Sequence, residues 1–230
     1  MTDWDELQRG VAAAYDDQRL PTWPSPHPAM TEPADEEYSR VTEPERYRIV
    51  QARSRVWRDT LAELPGVSVE SIEPGAAHGH PATYVAQRCV RVSSSAPGTL
   101  DLVLLEQDVR LTSGEGTLPV VRIAVERPDL QVEAQPDCGC DACDSGSLDL
   151  LDAVDRAIRR VVEGPLVVLR GDGWAADWSP GCASSHGLGS GILRRGMDHE
   201  DAIRLCERLA AGDAVRLPDR TEAFVGRSWL

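Results

Sequence analysis

The chain of 230 residues contains no lysine and no asparagine, so all 24 of its basic residues are arginine. Without lysine, the chain cannot form a Schiff base, use a lysine as general base, or bind phosphate through the lysine of a phosphate-binding loop. Without asparagine, it also lacks asparagine-based sites of amide hydrolysis. Several classes of enzyme are therefore excluded before any motif is considered.

Long apolar segments are missing as well. The longest uninterrupted apolar run is the five residues VAAAY at 11–15, and the amino-terminal MTDWDELQRG has neither a basic start nor an apolar core. A membrane-spanning helix needs about 20 apolar residues, and a signal peptide needs a basic start before its apolar segment. We therefore expect a cytoplasmic protein without a membrane span, whose six cysteines stay reduced and serve as core residues or ligands.

Positive charge is scarce relative to negative charge. The chain has 38 acidic residues against 24 arginines, which gives a formal net charge of −14 spread along its whole length. Neutralisation of phosphates supplies most of the affinity for nucleic acids, so we expect no DNA or RNA partner and no binding to an anionic membrane. The expected partner is a protein or a small molecule, and the charge also serves solubility.

Apolar residues recur at three- and four-residue intervals in four segments, which predicts four helices. The start of the second helix has the pattern of a capping box, in which Glu45 follows Thr42 by three positions and Pro44 lies near the first turn. The four helices are expected within residues 1–20, from Thr42 to about residue 64, at residues 148–163, and after a capping Asp198.

Strand patterns dominate residues 67–134. Short runs rich in valine, leucine and isoleucine alternate with the turn sequences SSSAPG, SGEG and ERPD, and Val121, Ile123 and Val125 show the two-residue period of a strand. PLVVLRGDGW predicts a further strand, whereas the segment WAADWSPGCASSHGLGSG has no assignable period. These elements predict an α+β fold with a central antiparallel sheet of about five to six strands flanked by about four helices.

A proline-rich stretch separates the first helix from the rest of the chain. LPTWPSPHPAMTEP contains five prolines, which remove amide donors and restrict φ, so it indicates an extended connector with Trp23 as its anchor. The expected organisation is an N-terminal helix at residues 1–20, a connector at 21–35 and a single α+β domain at 36–230.

The segment PDCGCDACDSGS carries three cysteines close together, each beside an aspartate. Cys140 and Cys143 have the spacing of two ligands to one zinc ion, Cys138 would add a third sulfur, and Cys182 or His186 would supply the fourth ligand. The aspartates disfavour a free thiolate, and a bound cation would relieve their charge. Two alternatives stay open: a turn with unliganded thiols and no cofactor, and a disulfide between Cys140 and Cys143.

Two motifs, EEYSRVTEPERYRIV at 36–50 and CGCDACD at 138–144, resemble those of a family of uncharacterised proteins from high-GC Gram-positive bacteria. The resemblance spans residues 36–190 and is to a domain of unknown function. It implies a cytosolic setting and importance of the turn from Cys138 to Asp144. It implies no reaction, substrate or catalytic residue.

Three functional hypotheses follow. The first is a non-enzymatic, cytosolic binding or regulatory protein whose cysteine turn is structural, because no nucleophile, base and orienting group occur at ordinary spacing. The second is a zinc- or thiol-dependent enzyme that uses Cys138, Cys140 and Cys143 with Cys182 or His186. The third is an acidic inhibitor or immunity-type protein that binds a basic partner.

Overall fold

The computed structural model describes residues 3–28, 31–74, 84–111, 116–187 and 198–230. This part of the chain contains four α-helices and nine strands. The helices are α1 (Trp4–Asp16), α2 (Arg48–Ala62), α3 (Ser147–Glu163) and α4 (His199–Ala210). The strands are β1 (Val67–Ile72), β2 (Tyr84–Ser94), β3 (Leu102–Arg110), β4 (Thr117–Val125), β5 (Gln131–Gln135), β6 (Leu166–Gly171), β7 (Trp174–Ser179), β8 (Cys182–Gly187) and β9 (Glu222–Gly226).

The predicted α+β fold class is confirmed, but the number of sheets differs from the prediction. The strands form two sheets, of five and four strands, instead of one central sheet. Among the residues that the structure describes, no helix combines the length and the apolar character that a bilayer span requires.

The chain divides into two compact units. The first comprises Met1–Ser93 and Leu102–Ile158, and the second comprises Ser94–Asp101 and Arg159–Leu230. The boundary falls inside α3, so the amino-terminal part of this helix belongs to the first unit. The organisation expected from the sequence, with a helix at 1–20, a connector at 21–35 and one domain at 36–230, stays a prediction.

The first unit is built on the five-stranded sheet, in the order β1-β2-β3-β4-β5. Strands β3 and β4 are antiparallel neighbours in which Leu104 lies opposite Ile123, and both side chains are buried. Helix α2 packs against β1, β4 and α1. The runs rich in valine and leucine supply this core. Full burial of each large apolar side chain contributes about 1.5–3 kcal/mol to the stability of the folded state.

A buried ion pair connects α2 with the first part of α3. Arg53 donates from Nε and Nη2 to the two carboxylate oxygens of Asp155, at 2.9 and 2.7 Å. Trp57 Nε1 donates to the same carboxylate at 2.6 Å, and the Trp57 ring stacks on that of Trp4 with 4.8 Å between centroids. Because both charges are paired and hydrogen-bonded, this contact fixes how α1, α2 and α3 meet in the core.

The start of α2 differs from the prediction. The backbone N–H and the hydroxyl of Thr42 both donate to the carboxylate of Asp141, at 2.7 Å each. Glu43 has a left-handed φ of 49°, Pro44–Tyr47 forms a 3-10 turn, and α2 begins at Arg48. The predicted capping box is therefore wrong, because the threonine makes a tertiary hydrogen bond in place of the local one.

The second unit contains the four-stranded antiparallel sheet, in the order β8-β7-β6-β9, and α4 packs against β6, β7 and β8. Strands β7 and β8 form a hairpin in the segment where the sequence showed no period. Leu169, Trp174 and Cys206 are among the buried residues of its core. Asp198 caps α4 as predicted, accepting a hydrogen bond from the backbone N–H of Asp201 at 2.7 Å.

Candidate metal centre

The turn between β5 and α3 brings the sulfur atoms of Cys138, Cys140 and Cys143 within 4.8 Å of one another. The Sγ atoms of Cys138 and Cys140 are 3.2 Å apart. Cys140 is buried, whereas Cys138 and Cys143 are exposed, and all three are free thiols without a disulfide. The structure thus places three of the predicted ligands around one point at the protein surface.

Close approach of a neighbouring strand shapes the backbone of this turn. A Cβ atom on Gly139 would lie 2.5 Å from Cδ2 of Leu118, a buried residue of β4. After this glycine the chain makes a 3-10 turn over Asp141–Cys143, in which the N–H of Cys143 donates to the carbonyl of Cys140 at 3.0 Å. A glycine between the first two cysteines therefore lets the turn lie directly on the sheet.

The carboxylate of Asp141 fastens the turn to the chain that precedes α2. Arg40 Nε donates to Asp141 Oδ2 at 2.5 Å, and Thr42 supplies its two hydrogen bonds to the same side chain. The backbone N–H of Asp141 in turn donates to the carbonyl of Arg40 at 2.8 Å. Burial works against ionisation of this carboxyl, but the hydrogen bonds from Arg40 and Thr42 outweigh burial and lower its pKa.

Asp144 makes a second set of contacts from the other end of the turn. Its buried carboxylate accepts hydrogen bonds from Arg46 and from the backbone N–H of Gly146, and both of its oxygens lie 3.0 Å from Trp23 Nε1. The Arg46 guanidinium carbon is 4.7 Å from the centre of the Trp23 ring, within the range of a cation–π contact. Every donor to Asp144 thus also restrains the turn.

The proline-rich connector lies along the same turn. The backbone N–H of Trp23 donates to Ser147 Oγ at 3.1 Å, and the N–H of Ser147 donates to the Trp23 carbonyl at 3.0 Å. Further along, His27 Nε2 is 3.3 Å from the carbonyl oxygen of Asp141 and 3.8 Å from Glu37 Oε1. The interpretation of Trp23 as an anchor is supported, and His27 is a polar neighbour that the sequence analysis missed.

The thiols of Cys140 and Cys143 do not ionise equally. Burial works against ionisation of Cys140, but the hydrogen bonds that its sulfur accepts from Cys138, Cys143 and two backbone amides outweigh burial and lower its pKa. The hydrogen bond to Cys140, followed by burial, raises the pKa of Cys143 to about 12. A thiolate therefore forms more readily on the buried Cys140 than on Cys143.

The predicted fourth ligands, and the other cysteine and tryptophan residues that follow α3, lie in the second unit. Cys182 and His186 are exposed residues of β8, and their role as a fourth ligand stays a prediction. Trp174 is buried and belongs to the core of the second unit, where Trp178 packs against it. Burial raises the pKa of Cys206 to about 12, so this thiol is an inert core residue.

The sequence contains one signal that points to the partners of the turn. RVTEPER offers the donors Arg40, Thr42 and Arg46, and CDACD offers the acceptors Asp141 and Asp144. These complementary charges belong to the two motifs that stood out by their resemblance to a family. The structure shows that the two motifs bind each other.

No curated protein and no solved structure matches this chain. The model of one protein family matches residues 11–230, which include both motifs and nearly all of both units. The chain belongs to this family, a family of unknown function designated DUF6226.

Proposed function

We propose that this protein binds one zinc ion through the thiolates of Cys138, Cys140 and Cys143, and that it acts as a binding or regulatory protein and not as an enzyme. The observation that carries the proposal is the convergence of the three sulfurs within 4.8 Å. Zinc–sulfur bonds of about 2.3 Å at tetrahedral angles place two sulfur ligands about 3.8 Å apart. Side-chain adjustments of about 1 Å therefore suffice to complete a three-sulfur site.

The chemistry of the donors favours zinc. Thiolates prefer zinc over magnesium and calcium, which take oxygen ligands. The carboxylates of Asp141 and Asp144 are engaged by Arg40 and Arg46, so they support the turn and leave metal binding to the sulfurs. Groups that hold the ligands in this way raise metal affinity by organising the site in advance.

The use of the surrounding polar groups supports binding over catalysis. A thiol nucleophile needs a base within hydrogen-bond reach of its sulfur. His27 instead faces the Asp141 carbonyl and Glu37. Among the described residues, no imidazole or carboxylate forms a hydrogen bond to the sulfurs of Cys138, Cys140 or Cys143.

A zinc- or thiol-dependent enzyme is the second candidate, and the exposure of Cys138 and Cys143 favours it. Zinc held by three protein ligands leaves a fourth position that can take water or a substrate. Screens for hydrolytic and redox turnover distinguish the two functions. A reproducible activity that Cys138→Ser or Cys143→Ser abolishes would replace the binding role with a catalytic one.

Elemental analysis of protein purified without chelators tests the metal site. We expect about one zinc ion per chain, and loss of most of it in Cys140→Ser and in Cys143→Ser. Cys89→Ala is the matched control, because this thiol is buried in the first unit outside the cluster. Protein without zinc, or zinc that survives both serine substitutions, would contradict the proposal. Cys182→Ser and His186→Ala test the predicted fourth ligand in the same way.

A further inference from the structure

A cleft of about 220 Å³ lies in the first unit between α2 and strands β2 and β3, and every residue that lines it is polar or charged. None of these residues belongs to the cysteine turn or pairs with its aspartates. Pockets for drug-sized ligands measure about 300–1,000 Å³ and are largely apolar. The volume and the lining therefore favour a small, charged and strongly hydrogen-bonding solute.

The three arginines of the cleft are used differently. Arg55 donates from Nε and Nη2 to both carboxylate oxygens of Glu106, at 2.5–3.1 Å. Arg48 binds Glu45 at 2.9 Å and lies 3.6 Å from Asp108. These two guanidinium groups therefore already have carboxylate partners.

Among the described residues that line the cleft, Arg88 is the arginine for which no carboxylate partner is found. It is exposed, and it lies opposite Glu106 in the register of β2 and β3. Both oxygens of Glu106 bind Arg55, and Arg88 has no ion pair with another described residue. Its guanidinium presents five N–H donors in the planar geometry that matches a carboxylate.

The floor of the cleft offers an acceptor. Gln51 is 3% exposed, and its side-chain nitrogen lies within 3.4 Å of the carbonyl oxygens of Gln107 and Val120 and of Asp108 Oδ1. These three acceptors fix the orientation of the amide. Its side-chain oxygen accepts no hydrogen bond from the described part of the chain, so it retains the capacity to accept one.

We propose that this cleft binds a small carboxylic acid that also carries a hydroxyl or ammonium group. Arg88 pairs with the carboxylate, and the side-chain oxygen of Gln51 accepts a hydrogen bond from the second group. The lining holds three guanidinium groups and two carboxylates, and Glu45 pairs with Arg48 from outside the lining, so Arg88 carries the positive charge that can meet a bound carboxylate. The proposal is independent of the zinc site.

Titration calorimetry and ligand-observed NMR with four probes test the proposal on the full chain. Lactate and alanine carry the second group, propionate lacks it, and inorganic phosphate is an anion of different geometry. We expect saturable binding of lactate or alanine at least tenfold tighter than that of propionate or phosphate. Arg88→Gln should weaken this binding at least tenfold, because it removes a charge-assisted pair.

Arg110→Gln is the matched control, since Arg110 is an exposed arginine at the end of β3 that does not line the cleft. Arg88 is itself exposed, so its replacement leaves the core intact. Unchanged thermal unfolding of Arg88→Gln would establish that the lost affinity is local. Absence of saturable binding, equal loss in both variants, or binding of propionate or phosphate as tight as that of lactate and alanine would overturn the proposal.

Discussion

Arg46 and the buried Asp144, 98 residues apart in the chain, form an ion pair that joins the two motifs. Asp144 also accepts hydrogen bonds from Trp23 and Gly146, so donors within the protein surround its buried carboxylate. The pair connects the chain before α2, the proline-rich connector and the cysteine turn. The geometry of the three sulfurs therefore depends on residues far from them in sequence.

Breaking this pair tests that dependence. Arg46→Gln leaves the Asp144 carboxylate buried without its cation, so we expect the free energy of unfolding to fall by about 3 kcal/mol. Zinc affinity should fall as well, because the turn loses a support. Chemical denaturation and competition with a zinc indicator measure the two effects.

Arg58→Gln is the control for this substitution. Arg58 pairs with the exposed Asp59 on the surface of α2, and exposed pairs of this kind contribute less than about 1 kcal/mol. A loss in Arg46→Gln no greater than that in Arg58→Gln would show that the turn holds its shape without the Arg46–Asp144 pair.

Gly139 provides a steric test of the turn. A methyl group at this position would overlap Leu118, so Gly139→Ala should destabilise the protein by about 1–3 kcal/mol and weaken zinc binding. Gly10→Ala is the opposite case, because Gly10 lies in α1 with no neighbouring atom within 4 Å of an added Cβ. That substitution should stabilise the helix by up to about 1 kcal/mol.

The clash can be relieved from the other side. In the double variant with Leu118→Ala, the added methyl group at residue 139 gains space, so the combined loss of stability should be smaller than the sum of the single losses. If the two losses of stability add strictly, overlap with Leu118 is not the cause of the Gly139→Ala effect.

Alkaline pH should destabilise the folded chain through Cys206. Burial, together with the charges of Asp177 and Glu207, raises the pKa of this thiol from an ordinary value of 9.0 to about 12. Between these values the unfolded chain releases a proton that the folded chain retains, so stability is full below pH 9 and falls as the pH rises towards 12. The slope for one thiol reaches about 1.4 kcal/mol per pH unit.

Urea unfolding at several pH values between about 8 and about 11 measures this slope. Cys206→Ala should make the slope shallower even if the substitution lowers stability at every pH. Cys182→Ala, which changes an exposed thiol of the same unit, serves as the reference. A slope that is identical in the wild-type protein and in Cys206→Ala would exclude the buried thiol as its source.

Local patterns predicted the regular elements well. The helix expected at 148–163 is observed as Ser147–Glu163, because its apolar stripe has a clear helical period. The β7–β8 hairpin was missed because β7 is buried along nearly its whole length and β8 is largely exposed, so neither strand alternates. A two-residue period appears in a sequence only when one face of a strand is buried and the other is exposed. In β7 and β8 the two faces do not differ in this way.

Prediction of the site was limited by long-range contacts. The spacing of Cys140 and Cys143 indicated that their sulfurs can approach each other, and they do. Thr42 carried the pattern of a helix cap, but its hydrogen bonds go to Asp141, 99 residues away. Local spacing does not distinguish these two uses of a threonine, because both require the same side chain.

X-ray absorption at the zinc edge of the purified protein tests the sulfur coordination most directly. With Cys138, Cys140 and Cys143 as ligands, the spectrum should show three or four zinc–sulfur distances of about 2.3 Å. A spectrum described by nitrogen and oxygen ligands alone, at about 2.0–2.1 Å, would contradict binding by the cysteine turn.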